Sequence, residues 1–229
     1  CIRDRGFGVW ADYVRSFGYG RKLGTDFTGE LNGNVPSSEF YDKAYRGRWN
    51  GLTVISLSIG QGELGCTPLQ MANMVATVAN RGHYRTPHVV KRIHDRDSID
   101  ARFYVNHTTR VDARWFEPIV EGMYQAVNGG GTGRIAMVPG LDICGKTGTA
   151  QNPHGADNST FFCFAPRNNP KIAVSVYIEN GGFGATVAAP IASLLTELYL
   201  TDTIQRAPLV EYVKNKQIAY PYYERQQRK

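Results

Sequence analysis

The residues of this chain whose types and spacing best suit chemistry stand in a row, Lys146-Thr147-Gly148-Thr149. In a β-strand the side chains alternate between faces, so Thr147 and Thr149 would share one face and Lys146 would lie on the other. Two hydroxyls beside an ammonium group suit an anionic ligand, such as the terminal carboxylate of a peptide. Gly148, and a second glycine just before the lysine, remove side-chain bulk and would let a substrate backbone pair with the strand.

The elements that must position these residues follow from local sequence patterns. β-Branched and aromatic residues predict strands at 142–150, 159–166 and 171–178, and the sequence RNNP between the last two predicts a tight turn. A helix is predicted at 186–200. Three successive strands followed by a helix indicate an α+β fold, in which an antiparallel sheet is flanked by helices.

Upstream of these strands, the patterns predict three helices and several connections. The helices are expected at 9–17, from Thr67 to Gly82, and at 112–127. The remaining assignments are an extended connection at 18–38, a strand or the start of a buried helix at 52–59, a strand at 88–93 and a hairpin or surface loop at 94–110.

A glycine pattern before the second of these helices, Gly60-x-Gly62-x-x-Gly65, matches the wording of a dinucleotide-binding fingerprint. In a dinucleotide site the helix begins within the motif, and its N-terminus faces the pyrophosphate. Here Thr67 as N-cap and Pro68 in the first turn place the helix start beyond the last glycine. The stretch is therefore interpreted as a turn into a core helix, with nucleotide binding as a minor alternative.

Other candidate sites are weaker. The sequence NGGGTG at 128–133 lacks the ending of a phosphate-binding loop and is interpreted as a flexible connection near the cleft. The histidines form no H-x-x-x-H pair and the four cysteines no C-x-x-C pair, so neither a metal nor another cofactor is expected. Cys144 and Cys163 stand in apolar surroundings and are predicted to be buried thiols, with a cross-strand disulfide as the alternative.

The charge distribution limits the classes of partner. The formal net charge is +6, and the lysines and arginines are scattered in a way that matches no nucleic-acid-binding module. The end of the chain, Tyr222–Lys229, is interpreted as a solvated basic terminus, with attraction to an anionic membrane or cell-wall polymer as the alternative. No run of about 18 apolar residues occurs, so no transmembrane helix is predicted.

The segment 146–149 resembles the K-T-G element of penicillin-recognising serine enzymes. Its flanks, at 40–82 and 164–192, are similar in sequence and order to the C-terminal part of the transpeptidase domain of class B penicillin-binding proteins, nearest to the elongation-type enzyme, penicillin-binding protein 2. The resemblance covers about residues 8–200. It implies that 1–204 form the C-terminal portion of a penicillin-binding/β-lactamase-like transpeptidase fold, incomplete because the nucleophile region is missing, and that 205–229 form a basic tail.

The resemblance also implies an activity and a role for each matching residue. Such a D,D-transpeptidase acylates its serine with the stem peptide at the penultimate D-Ala and then transfers the acyl group to an amine of a second strand. The hydroxyls of Thr147 and Thr149 would hold the substrate carboxylate beside Gly148, and the Thr149 backbone N–H would be one oxyanion-hole donor. Lys146 would supply positive potential and take part in the proton network.

The sequence departs from the family pattern at two motifs. These enzymes use a Ser-x-x-Lys motif, which holds the nucleophile, and a Ser-x-Asn motif. None of the serines of this chain has a lysine three residues on or an asparagine two residues on. Tyr104-Val105-Asn106 is similar to a variant of the second motif, but it lies in a polar segment and is interpreted as a coincidence. We therefore expect the nucleophile upstream of this chain, and we expect the isolated chain to be inactive.

The resemblance further implies ligands, partners and a location. The expected ligands are stem peptides that end in D-Ala-D-Ala and the β-lactams that imitate them. The expected partners are a glycan polymerase and shape-determining membrane proteins, at the periplasmic face of the bacterial inner membrane, with the anchor outside this chain. The alternative is a non-catalytic fragment or degenerate homologue that acts as a binding or structural module.

Overall fold

The computed structural model describes residues 6–94 and 98–218. The chain forms two compact units, Cys1–Phe116 and Glu117–Lys229. The basic terminus predicted at Tyr222–Lys229 lies outside the described residues, as does Cys1. Within the described ranges, no helix is both long enough and apolar enough to cross a membrane.

Helices and antiparallel strands make up both units. The α-helices of the described ranges are α1 (Phe7–Ser16), α2 (Ser38–Tyr45), α3 (Gly51–Val54), α4 (Pro68–Ala79), α5 (Phe116–Asn128), α6 (Ala188–Thr201) and α7 (Ala207–Lys214). The strands are β1 (His83–Tyr84), β2 (His107–Thr108), β3 (Cys144–Ala150), β4 (Asn158–Ala165) and β5 (Ile172–Ile178). The predicted α+β class with an antiparallel sheet is confirmed.

An aromatic cluster forms one core of the first unit. The ring of Phe7 on α1 meets the rings of Tyr41 and Trp49 edge-on, with both centroid distances at 5.5 Å. These side chains are buried together with Val54 and Leu57. Edge-to-face pairs of this kind add a specific geometry to apolar burial. The cluster therefore fixes α1 against α2 and the segment that follows it.

Helix α4 begins where the sequence predicts and holds the long connection before α2. Thr67 caps the helix, and its hydroxyl accepts from the backbone N–H of Gln70 while the Gln70 side chain accepts from the backbone N–H of Thr67. The buried amide of Gln70 also donates to the backbone oxygens of Arg21 at 2.9 Å and Asn32 at 2.8 Å. One glutamine thus satisfies the helix start and two carbonyls of the 18–38 connection.

The second unit is built on a three-stranded antiparallel sheet in the order β3-β4-β5, so β3 is an edge strand. Helix α6 packs against β4 and β5. The core of this unit is a buried cluster with residues from α5, the segment before β3, β4, β5 and α6. Its members are Val127, Ala136, Val138, Ile143, Phe161, Cys163, Ala165, Val176, Ala188, Ala189 and Ala192. Helix α7, which the sequence analysis did not predict, packs on α6, and Arg206 just before it donates from Nε to Glu197 Oε2 at 2.8 Å. The domain boundary predicted after residue 204 stays a prediction.

The structure decides two assignments of the sequence analysis. The strand predicted at 88–93 is wrong, and the segment 52–59, for which a strand and a helix start were both open, is helical. Residues 88–93 form no strand, because the Asp26 carboxylate accepts from the backbone N–H groups of Val89 and Val90 and takes the place of a partner strand. Residues 52–59 are helical, as α3 and a following 3-10 turn, Ile55–Ile59. The glycine pattern at 60–65 is a turn before α4, as predicted.

The role of Gln70 can be tested by Gln70→Leu, which keeps the volume but removes all polar atoms. We expect the free energy of unfolding to fall by about 3 kcal/mol, because two partly buried backbone carbonyls and the Thr67 backbone N–H lose their partner in the buried Gln70 side chain. Tryptophan fluorescence during urea unfolding measures this unit, since Trp10, Trp49 and Trp115 all belong to it. Lys43→Leu, at an exposed position of α2 in the same unit, is the control and should change the value by less than about 0.5 kcal/mol. A Gln70→Leu effect as small as the control's would contradict the assignment.

Candidate active site

The register of β3 on β4 sets the directions of the four predicted site residues. Thr147 lies opposite Phe161 and Thr149 opposite Ser159, while Lys146 lies opposite Phe162. Because paired residues point to the same face, Thr147 and Thr149 share the face on which α6 covers β4 and β5, and Lys146 lies on the other face. Residues two apart on a strand are about 7 Å apart at Cα, so two hydroxyls can meet one carboxylate from both sides.

The glycines of β3 have a packing role that the sequence analysis did not foresee. A Cβ on Gly145 would lie 2.5 Å from the ring of Phe161, and one on Gly148 would lie 2.6 Å from Cγ2 of Thr160. Both are shorter than any ordinary carbon–carbon contact, so β4 side chains occupy the space beside both glycines. The glycines are therefore required by the neighbouring strand, whatever approaches the open edge.

The loop between α5 and β3 brings a third hydroxyl to the site. The side-chain oxygens of Thr132 and Thr147 are 2.8 Å apart, within hydrogen-bonding distance. The loop is held by Asn128, whose side-chain amide donates to the backbone oxygen of Ile143 at 2.8 Å, and by the Gly133 N–H, which donates to the Ala126 backbone oxygen. The sequence pattern at 128–133 predicts a flexible connection and does not reveal Thr132 as a neighbour of the site. The single threonine among the glycines of NGGGTG is the one side chain of that segment, apart from Asn128, that could form hydrogen bonds.

Lys146 stays close to its own strand. Its Nζ donates to the backbone oxygen of Thr147 at 2.7 Å, and the side chain is exposed. The ammonium group is thereby held at the backbone of Thr147, on the face of the strand opposite the two threonine side chains. An anion that bound at the β3 edge would meet hydroxyl donors and an ammonium group within one short segment.

The connection between β5 and α6 lies across the same end of β3. Ser159, which is buried opposite Thr149, donates from its hydroxyl to the backbone oxygen of Phe183 at 2.9 Å. A Cβ on Gly184 would lie 2.5 Å from the backbone oxygen of Gly148. The ring of Phe183 itself is exposed. This connection therefore contacts the backbone of the predicted site, and no sequence pattern predicted it.

Other predicted candidates are accounted for by the described structure. Asn106 of the Tyr-x-Asn sequence accepts from Nε of Arg85 at 3.0 Å through its side-chain oxygen. Among the residues that the structure describes, no group of three or more His, Cys, Asp or Glu side chains could hold a metal ion. The described structure thus offers the K-T-G strand and its surroundings as the candidate site.

Cys144 and Cys163 flank the same strand pair but cannot form a disulfide with each other. Both are buried and reduced. Cys163 lies opposite Gly145 in the register, so Cys144, one residue away, points to the other face of the sheet. The alternative of a cross-strand disulfide is therefore wrong, and buried thiols are confirmed. Burial raises the pKa of the Cys163 thiol to about 12.

Residues 8–197 match the family described as the penicillin binding protein transpeptidase domain. The chain belongs to this family. It is 35% identical over 221 residues to the peptidoglycan D,D-transpeptidase MrdA of Haemophilus influenzae, an alignment that covers 88% of this chain and 33% of the relative. With MrdA of Escherichia coli K12 it is 30% identical over 220 residues, which cover 87% of this chain and 34% of the relative. The chain thus spans about a third of the length of these two relatives.

Solved structures agree with this family assignment. The fold is similar to that of Pseudomonas aeruginosa PBP2 in complex with WCK 5153, with a TM-score of 0.77 and 33% identity over 95% of this chain and 47% of that chain. It is also similar to Helicobacter pylori PBP2 in its complex with MreC, with a TM-score of 0.68 and 25% identity over 82% of this chain and 35% of that chain. The predicted transpeptidase fold is confirmed.

The thiol assignment predicts a pattern of alkylation. In the native protein at pH 8, iodoacetamide should modify the exposed Cys66 and leave Cys144 and Cys163 unmodified. Burial blocks access to both, and a pKa of about 12 leaves roughly one Cys163 thiol in 10,000 ionised. In guanidinium chloride without reductant both should react, as peptide mass spectrometry can show. Failure of both to react until a reductant is added would contradict the register.

Proposed function

We propose that this chain is the part of a peptidoglycan D,D-transpeptidase that carries the K-T-G strand, and that the complete protein also binds penicillin. The observation that carries the proposal is the placement of Thr147 and Thr149 on one face of an edge strand, next to the Lys146 ammonium group. The family match over residues 8–197 supports it. The substrate class is a stem peptide that ends in D-Ala-D-Ala.

In the proposed mechanism, the terminal carboxylate of the substrate accepts hydrogen bonds from the hydroxyls of Thr147 and Thr149. This interaction places the last peptide bond along the β3 edge, where backbone pairing with the strand can orient it. The Thr149 backbone N–H is proposed as one oxyanion-hole donor, which stabilises the negative charge that develops on the carbonyl oxygen. Gly148, between the two threonines, adds no side chain beside Lys146 on the opposite face of the strand.

The covalent step needs a serine. Its hydroxyl oxygen attacks the carbonyl of the penultimate D-Ala, the bond to the last D-Ala breaks, and that residue leaves with a proton. An amine of a second stem peptide then attacks the ester, which forms the cross-link and returns the serine. Lys146 contributes positive potential for the carboxylate and the developing oxyanion, and it joins the proton network.

We propose that the serine lies outside these 229 residues, because no Ser-x-x-Lys sequence occurs among them. The same observation favours a second candidate, a non-catalytic homologue that keeps the fold as a binding or structural module. The two candidates differ in what the complete gene product does with a β-lactam, since only an enzyme with its serine can be acylated.

By analogy with relatives, the complete protein is proposed to work at the periplasmic face of the inner membrane. The Helicobacter pylori PBP2 structure was solved with MreC. A shape-determining membrane protein and a glycan polymerase are the partners that we propose for the protein that contains this chain.

Fluorescent penicillin tests the proposed activity. The complete gene product should be labelled covalently, whereas the 229-residue chain alone should remain unlabelled. In the complete protein, Thr147→Val with Thr149→Val should lower the second-order rate constant of acylation, the acylation rate constant divided by the dissociation constant, by about 100-fold, because two hydrogen bonds to a carboxylate are lost. Thr108→Val, at an exposed position on β2, is the control and should be labelled like the wild type. An unlabelled complete protein would support the non-catalytic alternative.

The hydroxyl contact between Thr132 and Thr147 generates a separate prediction. Thr132→Val keeps the shape of the side chain but removes the group that orients the Thr147 hydroxyl at 2.8 Å. We expect penicillin acylation of the complete protein to slow by about 5-fold, in line with the loss of one hydrogen bond of ordinary strength. Thr132→Ser, which keeps the hydroxyl, should restore most of the rate. Equal rates for the valine and serine variants would refute a role for the hydroxyl.

A further inference from the structure

A single buried hydroxyl binds the connection between β5 and α6 at its middle and at the start of α6. The Ser159 hydroxyl donates to the backbone oxygen of Phe183 at 2.9 Å and accepts from the backbone N–H of Ala188 at 3.2 Å. Ala188 is the first residue of α6, and Val187 before it provides no side-chain cap. A helix start leaves backbone N–H groups without partners inside the helix. Ser159 on β4 therefore caps α6 from outside and fixes the segment 183–188 in place.

The same segment rests directly on the backbone of the K-T-G strand. A Cβ built on Gly184 would lie 2.5 Å from the backbone oxygen of Gly148 and 2.9 Å from its nitrogen, and it would also overlap the backbone oxygen of Thr160. These atoms are backbone, so they cannot move aside as the end of a flexible side chain could. Only a glycine at 184 allows this approach, and the connection consequently packs flat against Gly148.

We infer that Ser159 and Gly184 are positioning residues that hold the β5–α6 connection against the Gly148–Thr149 peptide and so set the direction of the Thr149 N–H. The physical link is the planarity of the peptide group, because the Gly148 carbonyl and the Thr149 N–H belong to one rigid plane. A segment packed on the carbonyl therefore also limits rotation of the N–H. This inference rests on the proposed function, in which that N–H is an oxyanion-hole donor.

The contact of the β5–α6 connection with Gly148 should affect catalysis more than binding. The hydroxyls of the two threonines are proposed to hold the substrate carboxylate. In the hydrogen bonds and close approaches of the described residues, Ser159 and Gly184 contact neither of these hydroxyls. Loss of the positioning contact should therefore lower the rate of acylation more than the affinity for the unreacted β-lactam. A donor aimed at charge that appears only in the transition state acts in this way.

The test uses the complete gene product and stopped-flow measurement of penicillin acylation, which yields a noncovalent dissociation constant and an acylation rate constant. Ser159→Ala should lower the rate constant by about 10-fold and change the dissociation constant by less than about twofold. Gly184→Ala should lower the rate constant by about 100-fold, since its Cβ must displace the connection or the strand.

Two matched substitutions serve as controls. Ser175→Ala removes a buried hydroxyl from β5 that has no hydrogen-bond partner in the described structure, and Gly122→Ala adds a Cβ on α5 where nothing lies within 4 Å. Both should keep rate constants within about twofold of the wild type. Wild-type acylation constants in folded Ser159→Ala and Gly184→Ala proteins would overturn the inference. A loss of rate that only follows a loss of folded protein, measured by circular dichroism, would overturn it as well.

Hydrogen–deuterium exchange gives a readout that does not depend on catalysis. Ser159→Ala should speed exchange of amides in peptides that cover 145–150 and 181–188, relative to both the wild type and Ser175→Ala. Unchanged exchange there would contradict the positioning contact. An unlabelled wild-type protein would instead count against the proposed function, while faster exchange in Ser159→Ala would still support the contact.

Discussion

The position of β3 at the edge of its sheet is the constraint on which the candidate site depends. On one side, β4 pairs with β3 along its whole length, from Cys144 to Ala150. On the other side, no strand of the described residues pairs with it. An edge strand presents backbone groups that can pair with an added peptide. The K-T-G residues thus lie where a peptide can be bound by both backbone and side chains.

Other elements of the second unit pack around this sheet and its edge. Helix α6 covers β4 and β5, the loop after α5 brings Thr132 to Thr147, and the connection before α6 packs on Gly148. The last two of these contacts reach β3 from different elements, and each involves a glycine or hydroxyls that permit close approach. A site that stabilises charge developing only in the transition state is more effective when its hydrogen-bond donors are fixed before the substrate binds.

Local patterns predicted the elements well where one residue pair or one periodicity decided the outcome. Thr67 and Pro68 marked the start of α4, and β-branched and aromatic residues marked β3, β4 and β5. The strand predicted at 88–93 failed because β-branched residues indicate extended backbone, whereas a strand also needs a partner, and here Asp26 binds the backbone instead.

The contacts around the K-T-G strand could not be predicted from sequence in the same way. Thr132, Ser159 and Gly184 are far from Thr147 and Gly148 along the chain, and nothing in a residue's neighbours tells which distant backbone it will meet. Family resemblance predicted the four residues 146–149 as the site but not the groups that pack around them. The reason why Gly145 and Gly148 must be glycines is that β4 side chains fill the space beside them, and this is visible only in the folded sheet.

The central claim is that this chain supplies the strand that binds the substrate while the nucleophile lies elsewhere in the complete protein. Mass spectrometry of the complete gene product after reaction with penicillin tests it most directly, because the acyl group stays on the serine that attacked. The account predicts the adduct on a serine of a Ser-x-x-Lys sequence outside these 229 residues. An adduct on any serine of the present chain, such as Ser159 or Ser193, would contradict it.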